Sequence, residues 1–279
     1  MTNKLIAFQG EHGAYSEEAA FEFFGNDAVT IPCKSFENVF NEVNEESATH
    51  GLIPVENSLA GSIHRNYDLL LRNTLTITSE YHLRVKHCLL GLPSVELDQV
   101  KQVYSHPQAL AQCENNLKNL GLPGIAEYDT AGSARLLKDN NNQFSAAIAS
   151  KHAAKVYGLN ILKEGFEDNP NNYTRFLAIQ RENEKLESKT IENHKTSIVF
   201  GLKNSPGILF EALSSFATRK IDLSKIESRP LIGKLWEYYF YIDFIGHQSD
   251  PNCLAAIEEL SDISNFFRVL GSYPRHQID

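Results

Sequence analysis

The sequence predicts an α/β chain in two parts, a large open-sheet domain over residues 1–181 and a ferredoxin-like βαββαβ domain over residues 195–279. Three observations carry that reading. Short apolar runs alternate with helical patterns through the first two-thirds, the signature of strand–loop–helix units and a mainly parallel sheet. The stretch "RENEKLESKTIENH" at 181–194 is highly charged and lacks an apolar stripe, so residues 182–194 read as a solvated linker. Beyond it the order becomes strand, helix, strand, strand, helix, strand within some 80 residues.

The first domain opens with the strand "LIAFQG" and the helix "SEEAAFEFFG". "HGLIPVENS" pairs with "NYDLLLRN", "QVYSHP" with "QALAQCENNLKNLG", and "SAAIAS" with "KHAAKVYGL". Polar loops follow the strands at their carboxyl ends, where open α/β sheets bind ligands against helix N-termini. Two β-rich stretches, Leu75 to Ser79 and Tyr81 to Leu92, are long enough to carry the chain between two lobes, which makes a cleft between lobes the expected ligand site.

In the second domain "KTSIVFGLK" is the first strand and "NSPG" the turn that follows it. "ILFEALSSFATRK" is an amphipathic helix with Leu209, Leu213, Phe216 and Ala217 on one stripe. "IDLSKIESRPL" and "LWEYYFYIDFIG" flank the turn "IGK", and Trp236, Tyr238, Phe240, Ile242 and Phe244 alternate onto one face. "PNCLAAIEELSD" and "NFFRVLGSYP" close the unit.

Composition limits the function classes. Lys and Arg number 26 against 35 Asp and Glu, a net charge of −9, which argues against nucleic acid or an anionic membrane as partner because both need a basic face. Cys33, Cys88, Cys113 and Cys253 are scattered without metal-ligand spacing, so free thiols in a reducing compartment are expected and no metal site is. The apolar run near the N-terminus is too short for a signal peptide or a span, and a cytoplasmic location is expected.

Polar residues recur at strand ends. Ser16 reads as a helix cap; Glu56, Asn57 and Ser58 leave the core together in "LIPVENSLAG" and either cap the next helix or face a cleft. Ser105 reads as the cap of a helix beginning near Pro107, with Gln108 and Gln112 on one helix face; His106 is either a general acid or, as a lone histidine beside a proline more often is, structural. Thr130, Ser133 and Ser150 read as further caps, and together these ends resemble the rim of one polar pocket. "EDNPNNYTRFLAIQ" places Thr174 and Arg175 at the start of an apolar strand. Successive strand residues face opposite sides, so Arg175 either contacts a substrate carboxylate or buttresses the site from behind, pairing with Glu167 or Asp168. There is no defensible catalytic Ser–His–Asp spacing and no GxGxxG, so no cofactor is expected and the chemistry must rest on hydroxyls and amides, with or without one Arg.

"NYTRF" (172–176), "VENS" (55–58), "SHPQ…QC" (105–113) and "ESRP" (227–230) together resemble prephenate dehydratase, in order and over essentially the whole chain. The resemblance implies a two-lobed, periplasmic-binding-protein-like (type II) catalytic domain over 1–181 and a ferredoxin-like ACT regulatory domain over 195–279. It implies Thr174 as the central catalytic residue, assisting departure of the C4 hydroxyl while CO₂ leaves and the ring becomes aromatic. Glu56, Asn57, Ser58, Ser105, Gln112, Asn172, Arg175 and Phe176 are the implied substrate-binding set. No helical extension of the length of a fused chorismate mutase precedes these motifs, so a monofunctional chain is expected.

"NSPGILFEAL" resembles the ACT ligand turn, which implies a phenylalanine site built from Asn204, Pro206, Gly207, Ile208 and Leu209 with Glu227, Ser228, Arg229 and Pro230 as its other wall. The family turn reads "GALV" where this chain has "GILF", so Ile208 sets a larger side chain beside the ligand. A homodimer or homotetramer is implied in the same way. Two alternatives stay open: arogenate dehydration on the same scaffold, and a non-catalytic amino-acid or solute sensor.

Overall fold

The computed structural model describes residues 4–182, 193–231 and 237–277. The linker at 183–192, the "IGK" turn and Trp236 lie outside the described residues. The chain divides into two compact units, residues 1–67 with 81–176 and residues 68–80 with 177–279.

The first lobe is built from β1 (Leu5–Gln9), α1 (Tyr15–Phe24), β2 (Val29–Cys33), α2 (Phe36–Asn44), β3 (His50–Asn57), β4 (Gly61–Ser62), α3 (His64–Arg72) and β5 (Leu75–Arg84). The second lobe runs through β6 (Cys88–Gly91), β7 (Gln102–Ser105), α4 (Pro107–Gln112), α5 (Glu114–Leu120), β8 (Gly124–Ala126), α6 (Thr130–Asn140), β9 (Ser145–Ala149), α7 (Lys151–Tyr157) and β10 (Asn160–Glu164), before β11 (Tyr173–Arg181) returns to the first sheet. Strand order is β2-β1-β3-β11-β5 in one sheet, with β4 on β3, and β10-β6-β9-β7-β8 in the other. The sheets are less uniformly parallel than the sequence pattern predicts. β1 pairs in parallel with β2 and β3, and β7 with β8 and β9, but β6 and β10 run antiparallel at one edge.

Local chemistry explains several departures from the sequence reading. β5 runs unbroken through Glu80, and the break falls at residues 85–87 instead. The predicted helix after Pro107 is two short helices meeting at Cys113. Ser16 is not a cap: Ala14 holds the N-cap position of α1 with no capping side chain, and Ser16 lies in the helix's first turn. His106, not Ser105, caps α4, and Asp129 caps α6, leaving Thr130 and Ser133 inside that helix. Ser150 caps α7 as predicted, accepting from the Ala153 N–H. The second-lobe core, with Leu89, Leu90, Val103 and Ile148 fully buried, fixes the loops that carry the site.

The second unit contains β12 (His194–Gly201), α8 (Ile208–Ala217), β13 (Leu223–Pro230), β14 (Tyr238–Ile245), α9 (Pro251–Ile263) and β15 (Phe266–Pro274). Its antiparallel order β13-β14-β12-β15 is the ferredoxin-like arrangement. Ile198, Phe200, Ile242 and Phe244 pack with Phe216 and Leu260 in its core. On α8 the buried stripe includes Ala212 and Ser215, while Ala217 is exposed.

Residues Asp68–Glu80 belong to this same unit. Lys195 Nζ lies 2.8 and 2.9 Å from the two Glu80 carboxylate oxygens, a buried ion pair. Arg268 donates to the carbonyls of Leu70, Asn73 and Leu75, satisfying the C-terminal end of α3. Arg229 donates to Asp68 at 2.9 Å. No described helix is long and apolar enough to cross a membrane.

Candidate active site

Loops at strand and helix ends converge in the first unit on a cavity of about 170 Å³. Tyr15 and Ser16 reach it from the first turn of α1, Asn57 from the end of β3, and His87 from the link between β5 and β6. Gln108 and Gln112 line it one helical turn apart on α4, and Thr130 from the start of α6. Thr174 and Phe176, two apart on β11, point the same way, as strand alternation requires.

The Asn57 side chain organises the centre. Its Oδ1 accepts from the backbone N–H groups of Leu59 (3.1 Å) and Ala60 (2.9 Å). A backbone N–H can only donate, so these two bonds fix which end of the amide is oxygen. The NH₂ end therefore faces inward, donating to Asn172 Oδ1 at 2.8 Å and to Thr174 Oγ1 at 3.0 Å. Thr174 thus receives a hydrogen bond at its oxygen, and its own hydroxyl proton is left to donate elsewhere. Asn172 donates in turn to Gln112 Oε1 at 3.1 Å, which also meets His87 Nε2 at 2.8 Å. His87 Nδ1 lies 2.7 Å from the Tyr15 hydroxyl. Six side chains from five segments form one hydrogen-bonded chain.

Burial sets the charge states around it. Desolvation holds the His87 imidazole below its ordinary range, against the opposing effects of the Gln112 bond and the Glu167 carboxylate. Burial pushes the Tyr15 phenol well up, with Glu18 adding to it. Glu167 accepts from the His87 N–H at 2.8 Å, and Asp168 accepts from the N–H groups of Asn115 and Asn116 at the start of α5.

Not every predicted residue meets at the cavity. Ser105 is fully buried and donates to the Ile148 carbonyl at 2.7 Å, inside the second sheet. Ser58 donates to the Asn171 carbonyl and accepts from the Tyr173 N–H, which fastens the start of β11. Glu56 sits opposite Ser62 in the β3–β4 pair, outside the lining. Arg175 is buried on the other side of β11 from Thr174 and does not line the cavity. Asn172, with no exposed surface, stands behind the lining and connects it. Tyr15 and His87 carry no motif: they are 72 positions apart and meet only in the folded chain.

A second cavity of about 200 Å³ lies in the other unit, lined by Asn204, Gly207, Ile208, Leu209, Phe210 and Tyr238 among others. Gly207 adopts φ of 87° and begins α8 without a capping side chain; the Ile208 N–H turns back to the Ser205 carbonyl at 3.3 Å, and no side chain caps the rest of the first turn. Pro206 shapes the turn without lining the cavity, and Glu227, Ser228, Arg229 and Pro230 lie apart from it on edge strand β13.

The comparisons agree with this architecture. The family model described as prephenate dehydratase matches residues 6–184, and the ACT domain model matches residues 196–262. The chain is 47% identical over 283 residues to arogenate dehydratase/prephenate dehydratase 1, chloroplastic, of Arabidopsis thaliana, covering 96% of this chain and 71% of that protein. Among solved structures it is similar to GqqA, described as a novel type of quorum quenching acylases, at a TM-score of 0.92 and 35% identity, covering 98% of each chain. It is also similar to the prephenate dehydratase of Arthrobacter aurescens in complex with L-Phe, at a TM-score of 0.88 and 33% identity over 97% of this chain and 90% of that one. With the dehydratase model matching well over half its length, the chain belongs to the prephenate dehydratase family and carries a C-terminal ACT domain.

Proposed function

We propose that the chain converts prephenate to phenylpyruvate, with residues 1–181 as catalytic domain, residues 195–279 as regulatory domain and Thr174 as the hydrogen-bond donor to the departing hydroxyl. One observation carries the mechanism: Asn57 donates to Thr174 Oγ1, which frees the Thr174 proton for the cavity. As the ring carboxylate leaves as CO₂, its bonding pair enters the ring, the C4–O bond breaks and hydroxide departs. The substrate dianion thereby becomes the phenylpyruvate monoanion, CO₂ and hydroxide. Aromatisation supplies the driving force, so one preorganised donor at the leaving oxygen, on the order of 10²–10³ in rate, is a sufficient contribution from Thr174. A threonine hydroxyl is too weak an acid to serve as a tuned general acid, and here it need not be one.

The lining also favours a keto acid. Among its described residues there is no Asp or Glu to meet the ammonium of arogenate. The open first turn of α1, with Tyr15 and Ser16 in the lining, offers N–H groups to a carboxylate. An acylase that used Thr174 as its nucleophile would need a base there, but the group donating to Thr174 Oγ1 is an amide N–H, which cannot withdraw a proton.

Phenylalanine is the proposed regulator at the α8 turn. Within one chain "ESRP" stays apart from that cavity, and Phe210 (79% exposed) and Ile226 (49%) stand at the surface. A second copy bringing its β13 edge to the turn would complete the site, so a homo-oligomer is part of the proposal. The four buried free thiols fit a reducing compartment such as the cytoplasm.

Initial rates with prephenate and with arogenate, each with and without phenylalanine, test the reading. Phenylpyruvate formed above the uncatalysed rate, suppressed by phenylalanine and lost in Thr174→Val, is expected. Faster turnover of arogenate would overturn the substrate choice, and unchanged turnover in Thr174→Val would overturn the mechanism.

A further inference from the structure

Hydrogen-bond direction can be followed past Thr174 to the far end of the chain. Backbone donors at Leu59 and Ala60 fix Asn57, whose NH₂ fixes Asn172 Oδ1 as the acceptor in their bond. Asn172 must then present its NH₂ to Gln112, so the Gln112 atom at 3.1 Å is its oxygen. That oxygen also lies 2.8 Å from His87 Nε2, so Nε2 must carry a hydrogen. In the neutral ring Nδ1 is then a bare acceptor, and the Tyr15 hydroxyl at 2.7 Å is its donor. With His87 neutral every member of the chain has a forced direction, and the donors left over are the Thr174 hydroxyl and the Gln112 NH₂, both on residues that line the cavity.

We propose that Tyr15 and His87 are positioning residues of the reaction: Tyr15 locks His87 in its Nε2–H tautomer, and that N–H turns the Gln112 amide so that its NH₂ faces the cavity as donor to a substrate carboxylate. The inference rests on the dehydratase reading above and extends it to two residues that no motif marks. Without the His87 donor, Gln112 keeps only the longer bond from Asn172, so its amide is held by one hydrogen bond instead of two and its NH₂ is less firmly aimed at an anion. The charged and titratable groups facing this pair are Glu167, which accepts the His87 backbone N–H, and Glu18, Cys88 and Cys113 around Tyr15. The site also contains an alternative for the phenol. Tyr15 Oη lies 3.1 Å from the Lys86 carbonyl, so a protonated His87 would donate from Nδ1 to Tyr15 and the phenol would turn to Lys86.

Two measurements test the proposal. The first is ¹⁵N NMR of the full-length protein labelled at histidine, which reads the tautomer directly. One protonated Nε2 and one bare Nδ1 are expected for His87 near neutral pH, and a mixture in Tyr15→Phe. An Nδ1–H tautomer or an imidazolium in the unmodified protein at that pH would overturn the proposal. The second is steady-state kinetics of His87→Phe and His87→Gln. A hydrogen bond to a charged oxygen is worth about ten- to hundred-fold, so His87→Phe raises KM by roughly that factor with kcat changed far less. In His87→Gln the side-chain NH₂ takes the place of Nε2–H and restores most of KM. Equal KM in His87→Phe and the unmodified enzyme would refute the positioning role while leaving the dehydratase reading intact. An unmodified enzyme inactive on both prephenate and arogenate would defeat that reading instead, whatever the NMR shows.

Discussion

Exchanging Asn57 for aspartate changes one NH₂ to an oxygen and almost nothing in shape. One oxygen of the new carboxylate keeps the Leu59 and Ala60 N–H bonds, now charge-assisted, so the turn after β3 holds. The other oxygen stands 2.8 Å from Asn172 Oδ1 and 3.0 Å from Thr174 Oγ1, an acceptor where a donor was. Thr174 must now spend its proton on the carboxylate. Freeing it for the leaving hydroxyl means breaking a hydrogen bond to a charged group, about 1.5–3 kcal/mol, or a factor of roughly 10–150 in kcat. Asn172 must turn its amide as well, which removes its donor from Gln112 and makes that factor a lower bound. Asn57 is only 7% exposed, and burial alone would raise the pKa of the introduced carboxyl, but the bonds from the Leu59 and Ala60 N–H groups and from Thr174 favour its charged form and oppose that shift. The assay is the initial rate with prephenate near neutral pH, less the uncatalysed rate, with the fold checked by circular dichroism. A folded Asn57→Asp enzyme within a few-fold of the parent at neutral pH would refute the assigned direction of the Thr174 hydroxyl.

Other expectations are independent of that chain. Burial would raise the Glu17 pKa, but bonds from His152, the Gly13 N–H, His12 and Thr30 override it and bring the carboxyl to about 2 from 4.5. A depressed carboxyl stabilises the fold above its unfolded pKa and loses that contribution as pH falls from about 4.5 to about 2, here about 3 kcal/mol. Glu17→Gln should therefore unfold more readily at neutral pH and show a flatter acid limb in denaturant titrations. Lys195→Met removes the ammonium 2.8 Å from the buried Glu80 carboxylate and should cost about 3–5 kcal/mol, with part recovered when Glu80→Leu is added; chemical denaturation reads both. Ile208→Ala should enlarge the cavity at the α8 turn and tighten phenylalanine about five-fold by calorimetry, if relief of crowding is worth about 1 kcal/mol.

Much of this was legible in the sequence for definite reasons. The βαββαβ order follows from period-two alternation at Phe240, Ile242 and Phe244 and from the stripe through Leu209, Leu213 and Phe216, because each element buries one face. Asn57 and Thr174 were legible because an apolar strand stops at the one and starts at the other, and Gln112 because it shares a helix face with Gln108. What stayed hidden depends on partners distant in the chain. Ser105 reads as a cap, and only its distance to Ile148 turns it inward. His87 sits in the apolar run "VKHCLL", where nothing local distinguishes a core histidine from one that meets a tyrosine 72 positions earlier. The antiparallel pairing of β6 with β10 and β9 was hidden as well, since direction leaves no mark on composition.

The segment Asp68–Glu80 has a consequence for how such a protein can be rebuilt. A recombinant swap made at the charged linker would transfer Lys195, Arg229 and Arg268 into a new chain while leaving Glu80, Asp68 and the carbonyls of Leu70 to Leu75 behind. Each side of the exchange would then contain a charge or a helix end shaped for a partner it no longer has. The compact unit is discontinuous in sequence, so a chimera that keeps these contacts has to graft the thirteen internal residues along with the C-terminal third.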